Sequence, residues 1–182
     1  AMRAALAELA GDGYTPFEIP GGGHCVAGAL AYAAAAQELA AQCGSWRPEY
    51  VVLASGTGTT QAGLVVGLEA LGWPTRVLGV SVARRNPRGA AVVEAACRDL
   101  REHLGRGGRG RPAEFLDGWV GAGYEEATPE VLASIRLAAA EGLILDPTYT
   151  AKAFRALHDL VTAGRVAPGS RVVFWHTGGL LN

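Results

Sequence analysis

The sequence is short of net charge, of cysteine and of lysine, and each shortage closes off a class of function. Sixteen basic side chains stand against seventeen acidic ones, leaving a formal charge of −1. The arginines are scattered except over residues 106–111, so there is no basic face of the size that nucleic acid requires. The three cysteines, Cys25, Cys43 and Cys97, are odd in number and widely spaced, which fits neither a disulfide framework nor a metal site and suits a reducing cytoplasm. No histidine pairs with a cysteine or carboxylate at metal-ligand spacing, so no metal is expected. The apolar runs are broken by Gly, Gln, Glu or Arg well before the ~18 to 20 residues that cross a bilayer, and no signal-peptide pattern opens the chain, so a soluble protein with no membrane partner is expected.

What remains is rich in alanine and glycine and 49% hydrophobic over 182 residues, enough for one domain, 1–182, with a core. A helical lead over 2–10 precedes a strand at 15–19, ended by Pro20-Gly21-Gly22-Gly23. The alanine-rich run 26–42 reads as a helix with small side chains, suited to close packing. A strand at 50–54, a glycine-rich turn and a helix over 61–71 follow, then a strand at 76–82 and a helix over 87–104. The segment GRGGRGRP reads as a solvated loop. Thr128-Pro129-Glu130 opens a helix to about 141, residues 143–145 form a short apolar run, Thr150 caps a helix through 163, and 171–175 is the last strand. This alternation predicts an α/β fold, a mainly parallel sheet with helices on both faces and ligands at the C-terminal ends of strands. There is no internal repeat.

The segment VVLASGTGTTQAGLVVGL carries the most chemistry. Its glycines let the backbone approach an anion while consecutive amides and a helix N-terminus point toward it. The hydroxyls of Thr57, Thr59 and Thr60 add donors. The spacing has neither the Gly-Lys-Ser/Thr of a P-loop nor G-x-G-x-x-G, and Val80-Ser81-Val82 offers no acidic residue for a ribose, so a nucleotide enzyme ranks last. Taken without other motifs, a strand-to-helix turn with no ligand also satisfies this pattern.

Four segments, SGTGTTQAGLVVGL, GYEEATPE, EGLILDPTYTAKAF and VVFWHTGG, stand in the order and approximate spacing of the D-cysteine desulfhydrase and aminocyclopropanecarboxylate deaminase family, which the chain resembles over nearly its whole length. The resemblance implies the larger domain of a fold type II pyridoxal phosphate (PLP) enzyme, of which this sequence corresponds to the C-terminal half to three-fifths. It also implies PLP as cofactor, with Gly56, Thr57, Gly58, Thr59 and Thr60 around its phosphate and Tyr149 and Tyr124 on the substrate side as catalytic candidates. A phenol there can donate or accept a hydrogen bond and, with a lowered pKa, serve in acid/base or nucleophilic steps. Glu125 replaces the family's usual glycine beside Tyr124. The deaminases typically carry Glu and Leu where this chain has Thr150 and Thr177. A neutral hydroxyl near the pyridine nitrogen strengthens the electron sink less than a carboxylate, so the resemblance favours the desulfhydrase: α,β-elimination from D-cysteine to pyruvate, sulfide and ammonia.

The same chemistry needs a lysine that forms a Schiff base with the cofactor. The one lysine here, Lys152, matches a family lysine without that role, and a structural or surface function is expected for it. The family's cofactor lysine lies N-terminal to everything present, so the resemblance implies a missing N-terminal segment or a complementary fragment as partner, besides a small amino-acid substrate and a second copy in a homodimer. Uncovering the domain cleft should favour self-association. The alternatives are the deaminase activity and a noncatalytic phosphate- or PLP-binding fragment. His24 stands where the family has a small polar residue and reads as turn or core packing; His176 is equally suited to scaffold or cofactor contact; His103 and His158 read as helix-surface or packing residues.

Overall fold

The computed structural model describes residues 2–108 and 110–179. Four strands build one sheet: β1 (Tyr50–Ser55), β2 (Arg76–Ser81), β3 (Glu114–Leu116) and β4 (Val172–Trp175), in the order β3-β2-β1-β4 and all parallel. Tyr50 stands in register with Arg76 on one side and Val172 on the other. The continuous apolar run of β1 follows from its place at the centre, since a parallel strand covered on both faces has no polar side to show. Val51 and Leu53 point into one apolar cluster, Val52 and Ala54 into the other.

The described residues form six α-helices: α1 (Met2–Gly11), α2 (Val26–Cys43), α3 (Thr59–Ala70), α4 (Arg88–His103), α5 (Pro129–Ala140) and α6 (Thr150–Thr162), of which α1 buries no residue. α3 and α4 cover one face and α6 the other, with α5 against α6. α3 is buried nearly all round because α2 lies over it in turn. Ala29, Ala33 and Ala36 of α2, spaced to share one helix face, meet Gly63 and Gly67 of α3. A Cβ on Gly63 would stand 2.3 Å from the Ala29 carbonyl, so the two backbones approach closer than any side chain permits.

A second glycine serves the sheet. Gln61, fully buried on α3, accepts from Ser55 Oγ at 2.8 Å and donates to the Glu114 carbonyl at 2.9 Å, tying β1 to the edge strand β3. Its path crosses Gly79 in β2, where a Cβ would lie 1.9 Å from the Gln61 amide oxygen.

The expected alternation holds, with local differences. Residues 15–19 form no strand: Phe17 is 87% and Ile19 70% exposed, and no neighbouring strand pairs with them. The short apolar run at 143–145 begins where the Leu143 amide returns to the Ala138 carbonyl and closes α5. β3 has only three residues, too short for its alternation to register in sequence. Part of the arginine-glycine loop is docked: the Arg111 guanidinium donates to the Trp73 and Thr75 carbonyls, and its amide to Glu69, which also pairs with Arg101. Arg109 lies outside the described residues. Thr128 caps α5 as expected, accepting from the Val131 amide. α6 is capped differently: Thr150 is its first residue, and Asp146 receives the free amides. Among the described residues no helix is long and apolar enough to cross a membrane.

Candidate functional site

The chain leaves β1 for β2 and β3 on one side and later returns to lay β4 on the other, so a crevice forms where the strand order reverses. A cleft of about 730 Å³ opens there, floored by the loop after β1 and flanked by the segments that follow β2 and β4. The sequence placed its candidate ligand loop at the same end of the same strand.

In that loop Gly58 has φ of 90°, a left-handed conformation suited to glycine, and the turn delivers the chain into α3. The helix ladder begins with the Ala62 amide bonding to the Gly58 carbonyl. The amides of Thr59, Thr60 and Gln61 therefore find no acceptor among the described residues, as expected of a helix start. Thr57 and Thr60 line the cleft, as does Gly56, where an added Cβ would stand 3.8 Å from the Tyr149 ring. Free amides, two hydroxyls and a helix N-terminus form a donor set that suits a phosphate. Thr59 is set apart: it is buried, and its hydroxyl meets Thr57 Oγ1 at 3.1 Å and His24 Nδ1 at 3.0 Å.

Tyr124 and Tyr149 face one another across the cleft with their hydroxyls in a short hydrogen bond and their rings edge to face, 5.9 Å apart. The bond to Tyr124, followed by desolvation, pushes the Tyr149 phenol up to about 12. This is opposite to the lowered pKa that a phenolate base or nucleophile needs, so Tyr149 keeps its proton through the neutral range and acts as a hydrogen-bonding phenol. The neighbouring Glu125 sits at φ of 66°, in the left-handed region.

Asp146 fixes Tyr149. Its buried carboxylate accepts from the amides of Thr148, Tyr149 and Thr150 and from the Thr150 hydroxyl at 2.7 to 3.0 Å. The Thr150 hydroxyl also accepts from the Asp146 amide, so it is engaged inward and does not line the cleft. Thr177 does line it. His176 behaves as scaffold: Nε2 donates to the Ile144 carbonyl at 2.8 Å, and Nδ1 accepts from the Gly178 amide, which shapes the turn carrying Thr177.

Lys152 is fully buried on the first turn of α6, and its ammonium donates to the carbonyls of Val120 and Gly123 at 2.9 Å and of Val82 at 3.3 Å. Burial lowers its pKa, with Glu126 opposing. All three donors are committed to holding loops beside the cleft, so the role is structural and internal; the surface alternative is excluded. Among the described residues no cluster of His, Cys, Asp and Glu could hold a metal ion.

Sequence reasoning missed Arg84 and Asp146. Arg84 lines the cleft and donates to the Gly56 carbonyl, bracing the glycine loop, while its own carbonyl is held by Ser81 Oγ at 2.6 Å. Its position just past the C-terminal end of β2 was the available signal. For Asp146 the signal was an Asp three and four residues ahead of free helical amides.

The profile of the family described as "Pyridoxal-phosphate dependent enzyme" matches residues 1–178. A D-cysteine desulfhydrase of Klebsiella pneumoniae strain 342 is 37% identical over 174 residues, covering 92% of this chain and 52% of that protein. A second, from Klebsiella pneumoniae subsp. pneumoniae, is 36% identical over 188 residues, covering 97% and 55%. The crystal structure of an ACC deaminase homologue superposes with a TM-score of 0.87 at 35% identity, covering 96% of this chain and 53% of that one. The chain thus spans about half the length of the curated relatives it matches.

Proposed function

The chain belongs to the pyridoxal-phosphate dependent enzyme family, and from that membership we propose that it forms the phosphate-binding wall of a lyase acting by α,β-elimination on a D-cysteine-like amino acid. The observation that carries this is the donor set of the loop after β1, three amides without an acceptor among the described residues and the hydroxyls of two cleft-lining threonines, set beside a tyrosine pair. In this reading Gly56, Thr57, Gly58, Thr59 and Thr60 bind the cofactor phosphate, Thr59 through its amide, while its hydroxyl supports Thr57 from behind. The bound cofactor supplies an electron sink for the substrate α-carbon. Arg84 keeps the Gly56 carbonyl turned away from the anion. Tyr149, protonated throughout the neutral range, donates a hydrogen bond to the leaving β-substituent, and Tyr124 orients it. Thr177 lines the cleft as a neutral hydroxyl, the feature that favours the desulfhydrase reading over a deaminase; Thr150 supports the site through Asp146. The fit extends to the phosphate and not to an anchoring amine: with Lys152 committed to three carbonyls, that amine has to come from outside these 182 residues.

The test is PLP binding followed by borohydride reduction and intact-mass measurement. The expected result is reversible binding, seen as tryptophan fluorescence quenching and competed by inorganic phosphate, with no mass gain on this chain. A PLP adduct at Lys152 would overturn the division of labour, and the absence of any competable binding would overturn the phosphate cradle itself.

A further inference from the structure

The phosphate loop does not stand alone. The turn Gly21–Gly23 packs directly on it: Gly22, at φ of 66°, approaches Thr57 so closely that a Cβ would lie 2.7 Å from the threonine methyl. Gly28 lets the start of α2 close under this turn, since a Cβ there would stand 2.0 Å from the Gly23 carbonyl. The Cys25 amide bonds back to that carbonyl at 2.8 Å. His24 is thereby held, half-buried, with Nδ1 3.0 Å from Thr59 Oγ1, and Thr59 Oγ1 is 3.1 Å from Thr57 Oγ1. The three polar groups form a chain that ends at the cleft-lining hydroxyl.

An anion in the cleft fixes the direction of every proton in that chain. To donate to the anion, Thr57 has to spend its only hydroxyl proton outward, leaving its lone pairs for Thr59. Thr59 then donates to Thr57 and accepts from His24, which requires a proton on Nδ1. The imidazole also lines a separate recess of about 90 Å³ between α2, α3 and α4, together with Cys25, Asp99, Thr59 and otherwise apolar side chains, and its other nitrogen is the place for a second proton. A second proton there makes the ring a cationic donor, and a charge-assisted bond polarises the hydroxyls it feeds.

We propose that His24 is a positioning residue of the anion cradle, turning the Thr57 hydroxyl toward the bound phosphate through Thr59 and strengthening the cradle when the imidazole is protonated. The proposal rests on the reading of this loop as a phosphate site. It adds a pH dependence that the loop amides cannot supply, because they do not titrate. The titratable groups facing His24 are Asp99 from α4 and Cys25 at the start of α2; Thr59 on α3 is neutral.

Sulfate is the suitable probe because its charge stays constant across the range in which histidine titrates. The measurement is sulfate affinity of this chain at both ends of the range in which histidines in general change charge, roughly pH 5 to 8, with the protonation of the His24 ring followed by NMR. Affinity rises about fivefold on protonation, the difference between a neutral and a charge-assisted hydrogen bond. Reciprocally, saturating sulfate raises the His24 midpoint. His24→Asn keeps an amide donor at the place of Nδ1 and binds sulfate with no pH dependence. Thr59→Val leaves His24 titrating but uncoupled from sulfate. Asp99→Asn retains the coupling. A pH profile shared by wild type and His24→Asn overturns the proposal while leaving the phosphate site standing. Coupling that survives Thr59→Val overturns the relay, and loss of coupling in Asp99→Asn assigns the titration elsewhere. If sulfate leaves the amide resonances of residues 56–61 unmoved, the phosphate site fails and this proposal with it.

Discussion

Tyr149 and Lys152 are the two residues whose chemistry the sequence left most open, and in both the outcome depends on neighbours distant in sequence. Tyr149 draws its high pKa first from Tyr124, 25 positions earlier, and then from desolvation. With a folded pKa near 12 against an ordinary value near 10, the folded state retains a proton that the unfolded state releases between those values. The stability this group contributes is therefore complete below about pH 10 and lost as pH climbs toward 12. Tyr124→Phe removes the largest cause. Its expected effect is a fall of the Tyr149 titration toward the ordinary tyrosine range, read by ultraviolet tyrosinate absorbance, with a narrower alkaline loss of stability. An unchanged Tyr149 titration would mean that desolvation alone sets it. For Lys152 the sequence showed one lysine near a helix start; that three carbonyls from two separate loops converge on its ammonium is information only the folded chain contains.

Among the elements, those with a strong local signature were legible and those defined by a partner were not. The unbroken apolar run of β1, the alanine-rich α2 and the Thr-Pro-Glu start of α5 each carry their reason in adjacent residues. The segment 15–19 has β-like composition but no strand to pair with, and β3 exists because Gln61 and β2 hold its three residues in place. The glycine loop and the tyrosines were named from motif resemblance, whereas the joining of loop, turn and His24 depends on glycine contacts across the fold. The seam between α2 and α3 is such a contact and gives a test. In Gly63→Ala the new methyl meets the Ala29 carbonyl and, at 2.5 Å, the Tyr32 Cβ. Tyr32 lines the cleft, so forcing α2 outward moves the cleft wall and the adjoining turn together. The expected cost is about 1 to 3 kcal/mol in urea unfolding, with an unchanged denaturant slope and weaker sulfate binding. Gly118→Ala, which meets nothing within 4 Å, leaves both unchanged and serves as the control. Wild-type behaviour of Gly63→Ala would show that the seam is looser than its geometry.

For the molecule as a whole, the distribution of apolar surface is as informative as the core. Tyr14, Phe17 and Ile19 are 67%, 87% and 70% exposed within six residues, immediately before the glycine turn that braces the cradle. Isolated exposed hydrophobes are ordinary, but three large ones clustered on an extended segment make a patch that water disfavours and another surface can cover. Nearly neutral net charge removes the repulsion that would keep copies apart. The 182-residue chain in solution should therefore associate as its concentration rises, seen as an increasing weight-average mass in sedimentation velocity. Replacing Phe17 and Ile19 together with serine should return it toward the monomer. Because neither side chain lines the cleft, sulfate binding should persist in the double variant, separating loss of association from loss of fold. Association that survives the serines would move the sticky surface elsewhere, to the exposed Ile144 and the neighbouring end of α5 as the next place to substitute. A monomer at every concentration would mean that this patch is covered within the chain itself.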